Sequence, residues 1–86
     1  MKSFSYTVQA AMGIHARPAG LLARLAKEFD GTTITITKGE KSVKADQILM
    51  LMSLAVKQGD TITVTAEGAD ENTALERLSI FFRENL

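Results

Sequence analysis

Strict alternation between apolar and polar residues marks the predicted strands of this chain. The first predicted strand covers residues 4–10, where apolar residues occupy every second position. The others cover 33–37, 41–44 and 62–66. A period of two is typical of a strand with one buried and one exposed face. The turn Lys38-Gly39-Glu40 predicts a hairpin between the second and third strands.

Apolar residues three or four positions apart mark three predicted helices. The first is predicted over 16–29, and the second is a short helix that Asp46 caps and that extends through residues 48–55. The third is predicted to begin at Asp70, with its apolar side formed by Ala74, Leu75, Leu78, Phe81 and Phe82. The predicted order is βαββαβα. Because the outer strand positions are mostly Thr, Ser and Gln, we predict an α+β fold in which helices cover one face of an antiparallel sheet.

The composition indicates one small domain and excludes several classes of function. We expect residues 1–86 to form a single domain, since 45% of them are hydrophobic and 23% are charged. Ten Lys and Arg residues balance ten Asp and Glu residues, so no overall positive field predicts nucleic-acid binding. No cysteine is present, which excludes disulfides and thiolate sites and makes a cytoplasmic location the expectation. The longest apolar run, Ile48–Met52, is too short for insertion into a membrane.

The only histidine, His15, lies at the junction between the first predicted strand and the first predicted helix. Pro18 is favoured in the first turn of a helix, which places His15 at or next to the N-cap. The backbone N–H groups of Ala16 and Arg17 then point outward beside the ring. These donors, the helix dipole and the Arg17 guanidinium predict an anion site. The same positive field favours the neutral imidazole, a nucleophile that can attack phosphorus.

Other interpretations of His15 are weaker or remain open on these residues alone. A lone histidine beside a helix that contains proline in its first turn is also compatible with a structural cap or an ordinary surface residue. The usual hydrolase sets of nucleophile, base and orienting residue cannot be assembled from one histidine and no cysteine, apart from the rarer Ser-Lys arrangements. No second His or Cys and no carboxylate lies within a helical turn of His15, so no metal and no cofactor is predicted.

The segment Gly13–Ala19, which reads Gly-Ile-His-Ala-Arg-Pro-Ala, closely resembles the active-site motif of the HPr family of bacterial sugar phosphotransferase systems. The resemblance continues through residues 41–43, 52–54 and 68–72, and so spans essentially the whole chain. It implies an open-faced β-sandwich with strand order 1-4-2-3 and three helices on one face. It also implies a stoichiometric phosphocarrier, and not an enzyme, that accepts a phosphoryl group from phosphorylated enzyme I and donates it to enzyme IIA. We predict a monomer.

The resemblance also assigns roles to individual residues. It implies that Nδ1 of His15 is the phosphoryl acceptor, that Arg17 balances the phosphate charge, and that the backbone of Ala16 and Arg17 completes the phosphate cradle. In Gram-positive members a regulatory serine begins the second helix. The matching position here is Gln47, which has no hydroxyl, so the resemblance predicts no regulatory serine.

Two surfaces are predicted to contact partner proteins. One is a basic stripe along a single side of the first helix, formed by Arg17, Gly20, Arg24 and Lys27. The other follows from the run Ile48–Met52, because a helix cannot direct five consecutive apolar residues into one core. We predict an exposed patch formed by Ile48, Leu49 and Met52. The alternatives are a solvated helix face, and a helix whose Leu51, Leu54 and Ala55 are buried while its other apolar residues are exposed singly.

Two other functions stay open at this point. One is an HPr-like paralogue with the same chemistry and a regulatory output in nitrogen or carbon control. The other is a non-catalytic interaction module that uses only the exposed apolar residues of the second helix, with His15 as a cap.

Overall fold

The computed structural model describes residues 1–86 and confirms the predicted order βαββαβα. Its elements are β1 (Lys2–Thr7), α1 (Ala16–Lys27), β2 (Thr32–Lys38), β3 (Lys41–Lys44), α2 (Ile48–Ser53), β4 (Thr61–Gly68) and α3 (Glu71–Asn85). No helix is both long enough and apolar enough to cross a bilayer.

The four strands form one antiparallel sheet in the order β1-β4-β2-β3, as the family resemblance implied. The register aligns apolar residues across all four strands. Phe4 pairs with Val64, Val64 with Ile36, and Ile36 with Val43. Side chains alternate along each strand, so every second residue before and after this row lies on the same side. These residues together form one apolar face of the sheet, and that face packs against the helices.

The three helices cover that apolar face and form one continuous core with it. Each helix buries a large side chain completely, namely Leu22 from α1, Leu51 from α2 and Phe82 from α3. The Phe82 ring lies 6.0 Å from the Phe4 ring and 5.5 Å from the Tyr6 ring, measured between centroids. These aromatic contacts fix α3 against the β1 edge of the sheet.

The opposite face of the sheet carries mainly hydroxyl side chains. Ser3 pairs with Thr65 and Thr65 with Thr35, and in the next row Ser5 pairs with Thr63 and Thr63 with Thr37. Threonine suits this position because its branched Cβ favours the strand while its hydroxyl can bond to water or to a neighbouring hydroxyl, as Thr37 Oγ1 does with Ser42 Oγ at 2.8 Å.

Several element boundaries differ from the predictions by one to three residues. The first helix was predicted to include Phe29 but ends at Lys27, because the N–H groups of Glu28 and Phe29 bond to carbonyls three residues back and close a tighter turn. Phe29 is still buried. The first strand ends at Thr7, although Val8 exchanges backbone hydrogen bonds with Gly59 and Asp60.

The second helix is shorter than predicted. It begins after Gln47, which is the N-cap in place of the predicted Asp46, and it ends at Ser53. Leu51 and Leu54 are buried, but Ala55 is exposed and has a left-handed backbone with φ of 54°. Placing Ala55 in the helix and in the core is therefore wrong. The N–H of Ala55 bonds to the carbonyl of Met52, and the chain then reverses toward β4.

The loop before α1 rests directly on the backbone of Val56. Gly13 has φ of +62°, and a Cβ at this position would lie 2.1 Å from the Val56 carbonyl oxygen. The N–H of Ile14 donates to that same oxygen at 3.1 Å. His15 follows immediately, so this contact determines where the histidine backbone lies.

We expect Gly13→Ala to destabilise the fold and Gly20→Ala to stabilise it slightly. The first change adds a Cβ against a backbone oxygen at a positive φ and should lower the free energy of unfolding by about 2 kcal/mol or more. The second adds a methyl group to open space within α1 and should raise it by about 0.5–1 kcal/mol. Urea denaturation measures both, and equal values for the two variants would contradict the packing of Gly13 on Val56.

Candidate functional site

His15 is the N-cap residue of α1, as the position of Pro18 predicted. Its backbone is extended, with φ of −122° and ψ of −172°, and its carbonyl accepts the N–H of Ala19 at 2.9 Å. The imidazole is partly exposed and makes no capping hydrogen bond. The side chain therefore does not serve as a helix cap, and its ring nitrogens remain available for chemistry.

Two backbone donors in the first turn of α1 are free. Pro18 has no N–H, and the N–H of Ala19 bonds to His15, which leaves Ala16 and Arg17 as the unpartnered donors of the first helical turn. An N–H in the first turn has no carbonyl four residues back within the helix. Together with the positive end of the helix dipole, these two groups can stabilise an anion bound at His15.

Arg17 adds a full positive charge at the same place. Its side chain is exposed and forms no ion pair and no hydrogen bond within the chain. An unpaired guanidinium presents a planar set of N–H donors that suits the oxygens of a phosphoryl group. Arg17 and His15 line one shallow cleft, so the structure brings these two predicted residues together.

The cleft also contains two residues that the sequence patterns did not indicate. Glu84 and Asn85, at the end of α3, complete its wall together with Pro18 and Leu21. The Asn85 side chain donates from Nδ2 to the carbonyl of Phe81 at 3.0 Å. The apolar periodicity of α3 predicted its buried side but not that its last turn meets the first turn of α1.

The predicted basic stripe and the start of α2 line one depression. Around it lie Arg17, Gly20, Leu21, Ala23, Arg24, Lys27 and Ile48. The depression is open to solvent between α1 and α2, and its three charged side chains are all cationic. The structure therefore places the four stripe residues beside the first residue of the predicted apolar patch.

The exposed apolar surface of α2 is larger than predicted. Leu49 is 80% exposed, while Ile48 and Met52 are 42% and 40% exposed. Met50, which the sequence patterns did not single out, is 46% exposed. Only Leu51 of this helix is buried. We call the four exposed side chains Ile48, Leu49, Met50 and Met52 the apolar patch.

Gln47, the position at which the resemblance places a regulatory serine in Gram-positive members, does not line the cleft. Gln47 is the exposed N-cap of α2, and its Nε2 lies 3.4 Å from Oδ1 of Asp46. No three His, Asp or Glu side chains lie close enough together to hold a metal ion.

Comparison with known proteins places the chain in a family. The family model of the PTS HPr component phosphorylation site matches residues 2–84. The phosphocarrier protein HPr of Haemophilus influenzae is 40% identical over 78 residues, which cover 91% of either chain. The crystal structure of HPr from Thermoanaerobacter tengcongensis superposes with a TM-score of 0.90 at 36% identity, covering 96% of this chain and 92% of that one.

A regulatory relative matches as well. The Bacillus subtilis catabolite repression protein Crh superposes with a TM-score of 0.77 at 38% identity, covering 94% of this chain and 92% of that one. Its structure is described as a swapped dimer. The family match extends over nearly the whole chain and includes the helix start that holds His15. The chain therefore belongs to the HPr family, the phosphocarrier proteins of the phosphotransferase system.

Proposed function

We propose that this chain relays a phosphoryl group through His15, accepting it from phosphorylated enzyme I and donating it to an enzyme IIA domain. The observation that carries the proposal is the pair of free N–H groups of Ala16 and Arg17, which directly follow a histidine whose imidazole makes no capping hydrogen bond. The chain then acts as a stoichiometric intermediate in the cytoplasm, and its partners supply the remaining catalytic groups.

The proposed step is an exchange of one bond to phosphorus for another. The lone pair of unprotonated His15 Nδ1 attacks in line, the new N–P bond forms, and the bond from phosphorus to the donor's atom breaks with its electron pair leaving on the donor. Negative charge spreads over the three equatorial oxygens. The amides of Ala16 and Arg17 and the Arg17 guanidinium donate to those oxygens.

The openness of the cleft suits a carrier. A phosphoryl group that must leave again for a second protein should be held by few donors, since tight ground-state binding would slow its transfer. Arg17 is exposed and His15 is partly exposed. Both partners can therefore reach phosphorus from solvent.

Docking would use the basic stripe and the apolar patch. The stripe carries three unpaired cations, Arg17, Arg24 and Lys27, which favour an acidic partner and speed encounter. The patch supplies apolar area, and its methionines can adapt to more than one partner surface. A single protomer holds every residue of this site, so the proposal needs only a monomer.

The likeness to Crh favours a second candidate, a regulatory output with the same fold. Gln47 has no hydroxyl at the start of α2, which argues against regulation at that position by serine phosphorylation. Capture of an enzyme IIA domain by the phosphorylated chain, with transfer of the phosphoryl group, would support the sugar-transport role. Capture of regulatory proteins without transfer would support the second candidate.

Incubation with phosphoenolpyruvate and enzyme I should attach one acid-labile phosphate to the wild-type chain and none to His15→Ala. His15 is the only histidine, so no other imidazole can replace it. Phosphorus NMR of the product should show a single phosphoramidate signal from Nδ1. An unlabelled wild type, or undiminished labelling of the variant, would remove His15 from the mechanism.

Arg17→Glu should slow phosphoryl acceptance by about tenfold or more while leaving stability within about 0.5 kcal/mol of wild type. The Arg17 side chain makes no hydrogen bond and no ion pair within the fold. A carboxylate is also well tolerated in the first turn of a helix. Stopped-flow transfer kinetics and urea denaturation measure the two effects. Lys44→Glu, on the far edge strand β3, makes the same change in charge and should transfer normally; equal slowing in both variants would contradict a local role for Arg17.

Met52→Asp should raise the dissociation constant for enzyme I by about tenfold or more, because it places a charge within the apolar patch. Asn72→Asp, in the first turn of α3, changes the net charge equally and should bind normally. Calorimetric titration measures both affinities. Loss of binding together with an absence of phosphate on His15 would favour the non-catalytic interaction module, and unchanged binding would exclude the patch from docking.

A further inference from the structure

Lys38, the last residue of β2, directs its ammonium group to one segment of the chain. Its Nζ lies 2.9 Å from the carbonyl oxygen of Ala55, 3.3 Å from that of Leu54 and 3.1 Å from Oδ2 of Asp60. The two carbonyl contacts are hydrogen bonds and the contact with Asp60 is an ion pair. All three acceptors belong to residues 54–60, the connection between α2 and β4.

This connection contains the strained point of the backbone. Ala55 is the only residue other than glycine with a positive φ, which a Cβ disfavours. Lys38 bonds to the carbonyls of that residue and of the one before it. A cation that neutralises two carbonyl dipoles at one turn stabilises the conformation that brings them together.

Asp60 secures the other end of the same connection. Its Oδ2 accepts the N–H of Lys57 at 2.9 Å and also contacts Lys38. The Lys57 N–H and, to a smaller extent, the Lys38 ammonium hold the pKa of the Asp60 carboxyl below its ordinary value. The Lys38–Asp60 ion pair is partly exposed and alone contributes little to stability. Together with the two hydrogen bonds from Lys38 to the carbonyls of Leu54 and Ala55, it holds both ends of residues 54–60, and we call this set of contacts the clamp.

Residues 54–60 support the loop before α1, residues 8–15, which we call the histidine loop. Val56 lies between the two clamped points, and its carbonyl oxygen accepts the N–H of Ile14 at 3.1 Å and lies against Gly13. His15 is the next residue. A shift of the Val56 carbonyl would therefore move Gly13 and Ile14, and with them the start of α1.

We infer that Lys38 is a positioning residue for His15, acting through residues 54–60 and the carbonyl of Val56. It does not contact the cleft that His15 lines. The effect on phosphoryl transfer rests on the proposed function, whereas the effect on loop geometry does not.

Lys41 offers a matched control on the same hairpin. Its Nζ lies 3.3 Å from the carbonyl oxygen of Ser53 and 3.3 Å from Ser53 Oγ. It therefore holds the end of α2 but reaches neither Ala55 nor Asp60. Comparing Lys38→Met with Lys41→Met separates support of the histidine loop from general attachment of α2.

The experiment measures hydrogen exchange of the Ile14 amide, well below the unfolding transition, in wild type, Lys38→Met, Lys41→Met and the double variant Lys38→Met/Ala55→Gly. We expect Lys38→Met to speed exchange at Ile14 by about tenfold and Lys41→Met to change it by less than about twofold. Glycine adopts a positive φ freely, so the double variant should recover most of the protection. Lys38→Arg is measured as well. It keeps the charge and several donors, so it should retain part of the protection that Lys38→Met loses.

Unchanged exchange at Ile14 in folded Lys38→Met, or equal acceleration in Lys41→Met, would overturn the inference. Should Lys38→Met not fold, Asp60→Asn removes the charged partner of the same clamp and takes its place in both comparisons. As a second readout, the rate of phosphoryl acceptance should fall with the loss of Ile14 protection across the series. If the wild type accepts no phosphate, the proposed function fails, while the exchange measurements still decide the role of Lys38.

Discussion

The contact of the histidine loop with the Val56 carbonyl is the constraint on which the site depends. Gly13 allows the close approach because it has no Cβ, and Ile14 donates its N–H to the same oxygen. The chain then leaves the core in an extended conformation at His15 and enters α1. The free amides of Ala16 and Arg17 face solvent in a fixed direction only because the residues before them are anchored to the core. The position of these amides is therefore a consequence of the contact between Gly13, Ile14 and the Val56 carbonyl.

Periodic patterns predicted most of the fold, since burial of one face imposes a period on strands and on long helices. The sheet strands and the start of α1 at His15 follow from such patterns and from Pro18. The end of α2 did not follow, because Leu54 continues the apolar spacing while a left-handed Ala55 leaves no mark in the residue types. The backbone there is determined by tertiary contacts, among them those of Lys38.

The residues of the candidate site also fall into two groups, those that a local motif predicts and those that only tertiary packing brings to the cleft. His15, Ala16 and Arg17 are local in sequence, so one motif at one helix start was enough to predict them. Glu84 and Asn85 reach the cleft only because aromatic packing around Phe82 sets α3 against β1. No spacing rule connects the two ends of the chain. In the same way, exposure of Met50 depends on how α2 sits on the core, which its run of apolar residues does not specify.

The hydroxyl-bearing face of the sheet also affects how this molecule meets others. Water forms hydrogen bonds with the hydroxyl groups of threonine and serine and so competes with any protein that contacts this face. The face also offers little apolar area to a colliding molecule. The cations of α1 and the exposed apolar side chains of α2 lie on the helical side, which therefore offers the stronger contacts. Encounters through the hydroxyl-bearing face would thus be shorter-lived than encounters through the helical face.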